Sequence, residues 1–161
     1  MMLFKKHSGI YTLYTEQTLN ISLEEAWAFF SDPKNLAKIT PPKMGFEITS
    51  EVDKTAYPGQ IITYNIGVFP GVLQSWVTEI TEVKRHEFFI DEQRFGPYKM
   101  WHHEHFFEKV SYGKTLMRDK VSYKLPFGFL GRLAHRVYVK NELKTIFNYR
   151  YSILEARFNG K

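Results

Sequence analysis

Two histidines and two large aromatic residues alternate along a segment that follows Gly96-Pro97, a pair typical of turns. Because successive side chains of a strand point to opposite faces, Trp101, His103, His105 and Phe107 would share one face. Burying imidazoles without partners is costly, so this face suits the wall of a partly apolar cavity better than a solid core. The segment therefore predicts a site for a small molecule.

A carboxylate on the following strand is expected to lie close to these imidazoles. If that strand pairs antiparallel, Asp119 shares an inward face with Met117, Val121 and Tyr123. A carboxylate can orient a histidine for acid–base catalysis. A buried polar network that satisfies itself and shapes the pocket is the simpler interpretation, and we favour it here.

Other chemistries have less support in the sequence. His103 and His105 are able to chelate a metal, but a catalytic zinc needs three ligands and Asp119 is the only obvious third, so no metal site is predicted. The chain has no cysteine and no GxSxG segment, so nucleophilic catalysis is not expected. Asp91 and Glu104 are expected to be solvent-facing or structural rather than a glycosidase pair. No cofactor is predicted.

The elements that must position these residues follow a regular order. A strand over residues 10–21 precedes a helix that opens with the capping box Ser22-Leu23-Glu24-Glu25, and Asp32-Pro33 begins a second short helix. Short connections such as Phe69-Pro70-Gly71 indicate an antiparallel meander. The last ~30 residues of the chain have a helical pattern. With a rise of ~1.5 Å per residue, such a helix is long enough to cross a sheet. The remaining strands are predicted near residues 46–51, 60–67, 72–83, 87–95, 99–110 and 114–125.

Length and composition agree with this order of elements. A chain of 161 residues suits one well-buried domain, and an aromatic content of 17% favours a β-rich domain with a roomy interior. The absence of cysteine excludes disulfides. Because no apolar run approaches the ~20 residues of a membrane span, and the N-terminus lacks the core of a signal peptide, we expect a cytoplasmic protein without a transmembrane segment.

The final helix combines apolar and basic residues. Seven basic and two acidic residues follow Phe129, an excess equal to the net charge of +5. Its apolar residues form two sets turned relative to each other, so the helix either bends near residues 138–141 or has one broad apolar face. A solvated basic face is the common case, and no nucleic-acid motif accompanies it, so no nucleic-acid partner is predicted. If Arg136 or Lys140 lies at the mouth of a cavity, the ligand should be an acidic amphiphile.

The order of elements resembles the helix-grip fold of the START-like (SRPBCC) superfamily, which includes birch-pollen-allergen-like proteins, lipid-transfer START domains and polyketide cyclases. Locally, three segments resemble one bacterial branch of it: residues 91–97 (Asp-Glu-Gln-Arg-Phe-Gly-Pro), residues 117–128 (Met-Arg-Asp-Lys-Val-Ser-Tyr-Lys-Leu-Pro-Phe-Gly) and residues 130–134. The resemblance implies a single α+β domain over residues 1–161. It further implies a seven-stranded antiparallel sheet wrapped around the long C-terminal helix, with a hydrophobic cavity between them.

The superfamily contains carriers, sensors and enzymes, so the fold alone does not decide the function. We predict binding of a hydrophobic or amphiphilic small molecule in the cavity, without catalysis. The alternatives are a cyclase- or hydrolase-like enzyme with a His/Asp acid–base pair in the same cavity, and a module that uses the basic helix to contact a membrane or protein. The oligomeric state is left open. The predicted ligand-binding residues are Tyr64, Trp76, Gln93, Trp101, His103, His105, Asp119, Tyr123, Lys140, Phe147 and Tyr151.

Overall fold

The computed structural model describes residues 2–69 and 71–160, so Pro70 of the predicted turn lies outside the described residues. The strands are β1 (Met2–His7), β2 (Ile10–Leu19), β3 (Glu47–Ile48), β4 (Ile61–Phe69), β5 (Val72–Lys84), β6 (Phe88–Phe95), β7 (Met100–Ser111) and β8 (Lys114–Lys124). Helix α1 (Leu23–Phe30) and two 3₁₀ helices (Pro33–Ile39 and Pro42–Met44) connect β2 to β3. The final helix comprises α2 (Gly128–Ala134), a π-helical segment (His135–Val139), α3 (Lys140–Leu154) and a second π-helical segment (Glu155–Asn159).

All strands belong to one antiparallel sheet with the order β1-β2-β8-β7-β6-β5-β4-β3. The predicted antiparallel meander is therefore confirmed, but the predicted count of seven strands is wrong, because β1 adds an eighth strand at one edge. Ser8 and Gly9 connect β1 to β2, and both have positive φ, 48° and 79°. Positive φ at both central residues is typical of a two-residue hairpin turn, whose twist matches that of the flanking strands. This turn lets the six-residue strand β1 pair with β2.

The two short helices that follow β2 begin as their sequence predicts. In α1, the Ser22 amide donates to Glu25 Oε2 at 2.9 Å, and the Glu25 amide donates to Ser22 Oγ at 3.2 Å, which completes the capping box. Asp32 caps the next helix, where its Oδ1 accepts a hydrogen bond from the Lys34 amide at 3.0 Å. This second helix is 3₁₀ rather than α-helical. Helix α1 turns its Trp27 and other apolar residues towards the sheet.

The final helix contacts the sheet along only part of its length. From residue 139 onward its buried side chains include Val139, Leu143, Phe147, Arg150 and Leu154, which recur at the three- and four-residue spacing of one helix face. The sequence predicts an additional apolar set at the start of the final helix (Leu130, Leu133, Ala134 and Val137), and these side chains are exposed instead. The π-helical segment that lies between α2 and α3 widens the turn, and this explains why the two sets point in different directions.

The hydrophobic core lies between the sheet and this helix. Leu13, Leu19, Val121, Tyr123 and Leu154 are fully excluded from solvent. Aromatic rings fill one end of the core, where the ring of Trp27 contacts the rings of Phe89 and Phe107 edge to face. No helix among the described residues combines the length and the apolar character that a membrane crossing requires.

Candidate functional site

A cavity of about 180 Å³ separates the sheet from α3, with α1 and the first 3₁₀ helix closing one side. Most of its wall is apolar. The aromatic part of the wall includes Phe29, Phe30, Tyr64, Trp76, Trp101 and Phe147. These side chains come from α1, from three strands and from α3, so the cavity exists only in the assembled fold.

Contacts between neighbouring rings hold the aromatic wall in place. Trp76 meets Trp101 edge to face, with ring centroids 5.3 Å apart, and Tyr98 lies 4.8 Å from Trp101. Tyr64 stacks on Trp76 at 5.9 Å, and its hydroxyl forms a hydrogen bond with Thr78 Oγ1 at 3.1 Å. Trp76 Nε1 is buried and has no hydrogen-bond partner among the described residues. The wall therefore offers flat apolar surfaces, and one buried hydrogen-bond donor behind them is unused.

The polar part of the wall follows from the register of three neighbouring strands. Asp91 on β6 lies opposite His103 on β7, and His105 on β7 lies opposite Asp119 on β8. Residues i and i+2 of a strand share one face, so both imidazoles point to the side of the sheet that α3 covers. Arg150 reaches this group from α3, where it follows Phe147 by three residues and lies on the same buried face.

The five side chains form a closely spaced buried cluster. His103 Nε2 lies 2.9 Å from Asp119 Oδ1, and His105 Nε2 lies 2.7 Å from Asp91 Oδ2. The other ring nitrogens also face carboxylates: His103 Nδ1 is 3.6 Å from Asp91 Oδ2, and His105 Nδ1 is 3.1 Å from Asp119 Oδ1. An Arg150 guanidinium nitrogen is 3.3 Å from Asp119 Oδ1. The Asp119 side chain is 1% exposed and that of Asp91 is 15% exposed.

Burial and mutual charge act against each other in this cluster. Burial alone would raise the pKa of Asp119, but the Arg150 charge and the two histidines hold that pKa well below its usual range. Burial and the neighbouring His105 lower the pKa of His103. For His105, burial acts in the same direction, but its contacts with Asp119 and Asp91 outweigh it and raise the pKa. Burial also acts to raise the pKa of Asp91, but its hydrogen bond with His105 and the neighbouring His103 lower that pKa overall. The two carboxylates are therefore ionised, and His105 is the histidine that holds an additional proton more readily.

Six of the eleven residues that the sequence predicted for ligand binding line this cavity. They are Tyr64, Trp76, Trp101, His103, His105 and Phe147. The predicted approach of Asp119 to an imidazole is found, and it follows from the pairing of β7 with β8. Asp119 itself lies behind the histidines and, with Tyr151, lines a second pocket of about 220 Å³. The roles of these residues in binding stay predictions.

Three predicted residues have other neighbours. Gln93 binds the backbone of Tyr98 through both ends of its amide, at 2.7 and 3.1 Å. The Tyr123 hydroxyl is paired with His135 Nε2 at 2.8 Å. Lys140 places Nζ 5.4 Å from the ring centroid of Phe4 and does not line the cavity. Arg136 does not line it either, so the condition under which one of these two cations would select an acidic ligand is not met.

Sequence reasoning missed two members of the buried polar cluster that line the cavity. Asp91, expected to be solvent-facing or structural, contributes its carboxylate to the cavity wall. Asp91 lies on the same face of β6 as Phe89 and opposite His103 of β7. Its place in the cavity can be inferred only when the pairing of the two strands is known. Arg150 is one of the basic residues of the final helix, for which the sequence analysis expects a solvated face. Its spacing from Leu143 and Phe147 nevertheless places it on the buried face.

No protein-family model matches the chain, and no curated protein sequence matches it. Solved structures match it over nearly the whole length. A START superfamily protein from Mycobacterium smegmatis is 11% identical, with a TM-score of 0.69 over 92% of this chain and 97% of that one. The fold is thus the helix-grip fold of START-like proteins, an α+β sheet wrapped on a long C-terminal helix.

Two further structures illustrate the range of proteins with this fold. The Zhui aromatase/cyclase from Streptomyces sp. R1128 is 14% identical, with a TM-score of 0.68 over 92% of this chain and 95% of that one. Ara h 8.0201 is 15% identical, with a TM-score of 0.60 over 92% of this chain and 99% of that one. At these identities the likeness concerns the fold, and the function has to be argued from the site.

Proposed function

We propose that the protein binds a small, mainly apolar molecule with one polar or anionic group in the cavity between the sheet and α3. The observation that carries this proposal is the composition of the wall. Aromatic and aliphatic side chains form most of it, and the ionisable groups of His103, His105, Asp91 and Arg150 converge on one part. A mainly apolar cleft with a few convergent polar groups is the usual form of a small-molecule site.

The size of the cavity limits the ligand. An engineered protein cavity of ~150 Å³ admits benzene, so about 180 Å³ corresponds to a ligand with one or two small rings. A long alkyl chain needs more room than this. Rings that meet edge to face or offset gain about 0.5–1.5 kcal/mol beyond the area they bury, so the walls at Trp76, Trp101 and Tyr98 favour an aromatic ligand. The aromatase/cyclase among the structural neighbours is consistent with such a ligand.

The polar group of the ligand is inferred from donors that have no partner. Trp76 and Arg150 both line the cavity, and Trp76 Nε1 and Arg150 Nε are buried and unpaired among the described residues, so a side-chain rotation would bring either donor to a ligand. A buried donor without an acceptor costs about 1–3 kcal/mol, and a bound acceptor removes this cost. A carboxylate, phenolate or enolate is the group that fits best, because the guanidinium is also a cation. Arg150, and not Lys140, is therefore the cation that would meet the acidic group of the ligand.

The direct test is native mass spectrometry of the protein purified from its own host, in which a co-purifying ligand reveals its mass. Binding is then measured by calorimetry with 1-naphthoate and with its neutral analogue 1-naphthylmethanol. Leu143→Phe adds a ring inside the cavity and should weaken binding of 1-naphthoate at least ~10-fold, because the added volume occupies ligand space. Leu133→Phe is the matched control, since Leu133 is 52% exposed. Equal affinities in both variants would refute binding in this cavity.

A specific surface feature favours a second function, docking on an anionic membrane. Phe127, Phe129, Leu130, Leu133 and Val137 are between 52% and 81% exposed. The last three are spaced by three and four residues and therefore form one stripe along the start of the final helix. An exposed apolar stripe of this kind marks an interaction site.

The positive charge at the start of the final helix indicates an anionic membrane as the partner. Arg132 and Arg136 are exposed beside the apolar stripe, and an apolar face with flanking cations is suited to the surface of an anionic bilayer. The protein should co-sediment with phosphatidylglycerol vesicles, more weakly at high salt, and Leu133→Glu should abolish this. Tyr112→Glu, at a 97% exposed position on the hairpin between β7 and β8, is the control. Vesicle binding that both variants retain would exclude the stripe. The cyclase- or hydrolase-like alternative stays a prediction from the sequence.

A further inference from the structure

Three potential metal ligands meet at the polar part of the cavity wall. Asp91, His103 and His105 each offer one ligand atom, and these three atoms lie within 4.8 Å of one another. Asp91 Oδ2 is 3.6 Å from His103 Nδ1 and 2.7 Å from His105 Nε2. These two separations lie on either side of the ~3.3 Å expected between ligand atoms of one tetrahedral ion with bonds of ~2.0–2.1 Å. Coordination would therefore need rotations that shorten the first separation and lengthen the second.

The hydrogen-bonding capacity of the two imidazoles supports this arrangement. Each histidine presents one ring nitrogen to Asp119 and the other to Asp91, which gives four nitrogen–carboxylate approaches. A neutral imidazole has one N–H and one lone pair, so it serves only one carboxylate as a donor. If both histidines turn their N–H to Asp119, two lone pairs and the Asp91 oxygen converge without a proton between them. A cation at this point satisfies all three.

Asp119 is placed where the outer carboxylate of a histidine–metal site is found. Metal-bound histidines commonly donate their second N–H to a carboxylate, which fixes the tautomer and the orientation of the ring. Here one carboxylate oxygen forms a hydrogen bond with His103 Nε2 at 2.9 Å. It also lies 3.1 Å from His105 Nδ1, which forms no hydrogen bond among the described residues in the present orientation of the ring. Arg150 is 3.3 Å from the same oxygen and balances the charge of Asp119. With neutral imidazoles, the remaining charge of the cluster is that of Asp91, which leaves it able to attract a cation.

We propose that Asp91, His103 and His105 bind one divalent transition-metal ion of the zinc or iron class, and that Asp119 positions both histidines. Two imidazoles and one carboxylate are a ligand set of catalytic zinc and of non-haem iron(II), in which open positions remain. All three ligands line the cavity, so the open positions face the space in which an organic molecule would bind. The sequence predicted no metal because Asp119 was the only third ligand in view, and the structure brings Asp91 to that place.

Metal binding is measured by calorimetry on protein stripped with a chelator, with zinc chloride and no organic ligand, so the result does not depend on the proposed function. Wild type should bind one equivalent of Zn²⁺. His103→Gln and His105→Gln should lose this binding, whereas Asp119→Asn should weaken it about 10–100-fold, as expected for an outer carboxylate. His102→Gln is the matched control, because His102 is on the same strand with its ring on the opposite face, 2.7 Å from Glu92.

Imidazole ¹⁵N NMR of the wild type tests the same site without a substitution in the cluster, which matters if a variant fails to fold. Zinc should shift Nδ1 of His103 and Nε2 of His105 and leave His102 unchanged. Cobalt(II) should give visible d–d absorption with one equivalent. Zinc shifts confined to the other histidines, or no stoichiometric binding by wild type, would overturn the proposal. If zinc does not bind while 1-naphthoate does, the metal site is refuted and the binding function stands.

Discussion

Replacement of Arg150 by methionine tests the buried ion pair between Arg150 and Asp119. The Arg150 side chain is 8% exposed and lies 3.3 Å from the Asp119 carboxylate, which is 1% exposed. Methionine keeps much of the apolar stem and removes the charge, so the variant leaves a buried carboxylate without its cation. Removing one partner of a buried ion pair lowers the free energy of unfolding by about 3–5 kcal/mol. This is a large part of the ~5–15 kcal/mol that stabilises a typical domain.

The assay is urea unfolding monitored by circular dichroism. With a slope of about 2 kcal/mol per molar urea, the expected loss lowers the unfolding midpoint by about 1.5–2.5 M. Arg157→Met is the matched control on the same helix. Arg157 is exposed, and its guanidinium lies 5.0 Å from the ring centroid of Phe29, a contact worth about 0.5–1 kcal/mol. The control should therefore lose no more than about 1 kcal/mol.

A double-mutant cycle separates the ion pair from simple loss of packing. Asp119→Asn combined with Arg150→Met removes both charges, so the double variant should be more stable than the sum of the single effects predicts, by more than about 1 kcal/mol. Strict additivity would refute the argument from charge. So would an Arg150→Met variant that unfolds at the same urea concentration as the Arg157→Met control.

Three smaller effects follow from single contacts. Gly131→Ala should destabilise the fold by about 1–3 kcal/mol in thermal unfolding, because an added Cβ would lie 2.1 Å from the Pro126 carbonyl oxygen; full stability would show that the helix start shifts freely. Ser22→Ala removes the N-cap of α1 and should cost about 1 kcal/mol in urea unfolding, unless the helix end is already frayed. Burial, with the nearby lysine charges, lowers the pKa of His135 from 6.5 to about 4, so the unfolded chain binds a proton that the folded chain does not, and stability should fall as the pH drops from 6.5 towards 4. This fall should be smaller in His135→Gln, and an identical pH profile in both proteins would contradict it.

Features with a local signal were readable from the sequence. The capping box at Ser22 depends on residues three positions apart, and the shared face of Trp101, His103 and His105 follows from the two-residue period of a strand. Short connections between strands permit only antiparallel neighbours, so the meander was predictable as well. Each of these depends on residues that are close in the chain, where backbone geometry alone decides the result.

Features that depend on residues far apart in the chain were decided by the tertiary structure. Nothing local distinguishes Asp91 from a surface carboxylate. Helix periodicity places Arg150 on the same face as Leu143 and Phe147, but it does not show which residues Arg150 contacts. Strand register places Asp91 opposite His103, and the packing of α3 onto the sheet places Arg150 beside Asp119, 31 residues away in the chain. The π-helical turn likewise sets which apolar residues of the final helix are buried. The sequence determined which side chains alternate along each element, whereas strand pairing and helix packing decided which of them meet, because burying charge is tolerated only where partners from other elements converge.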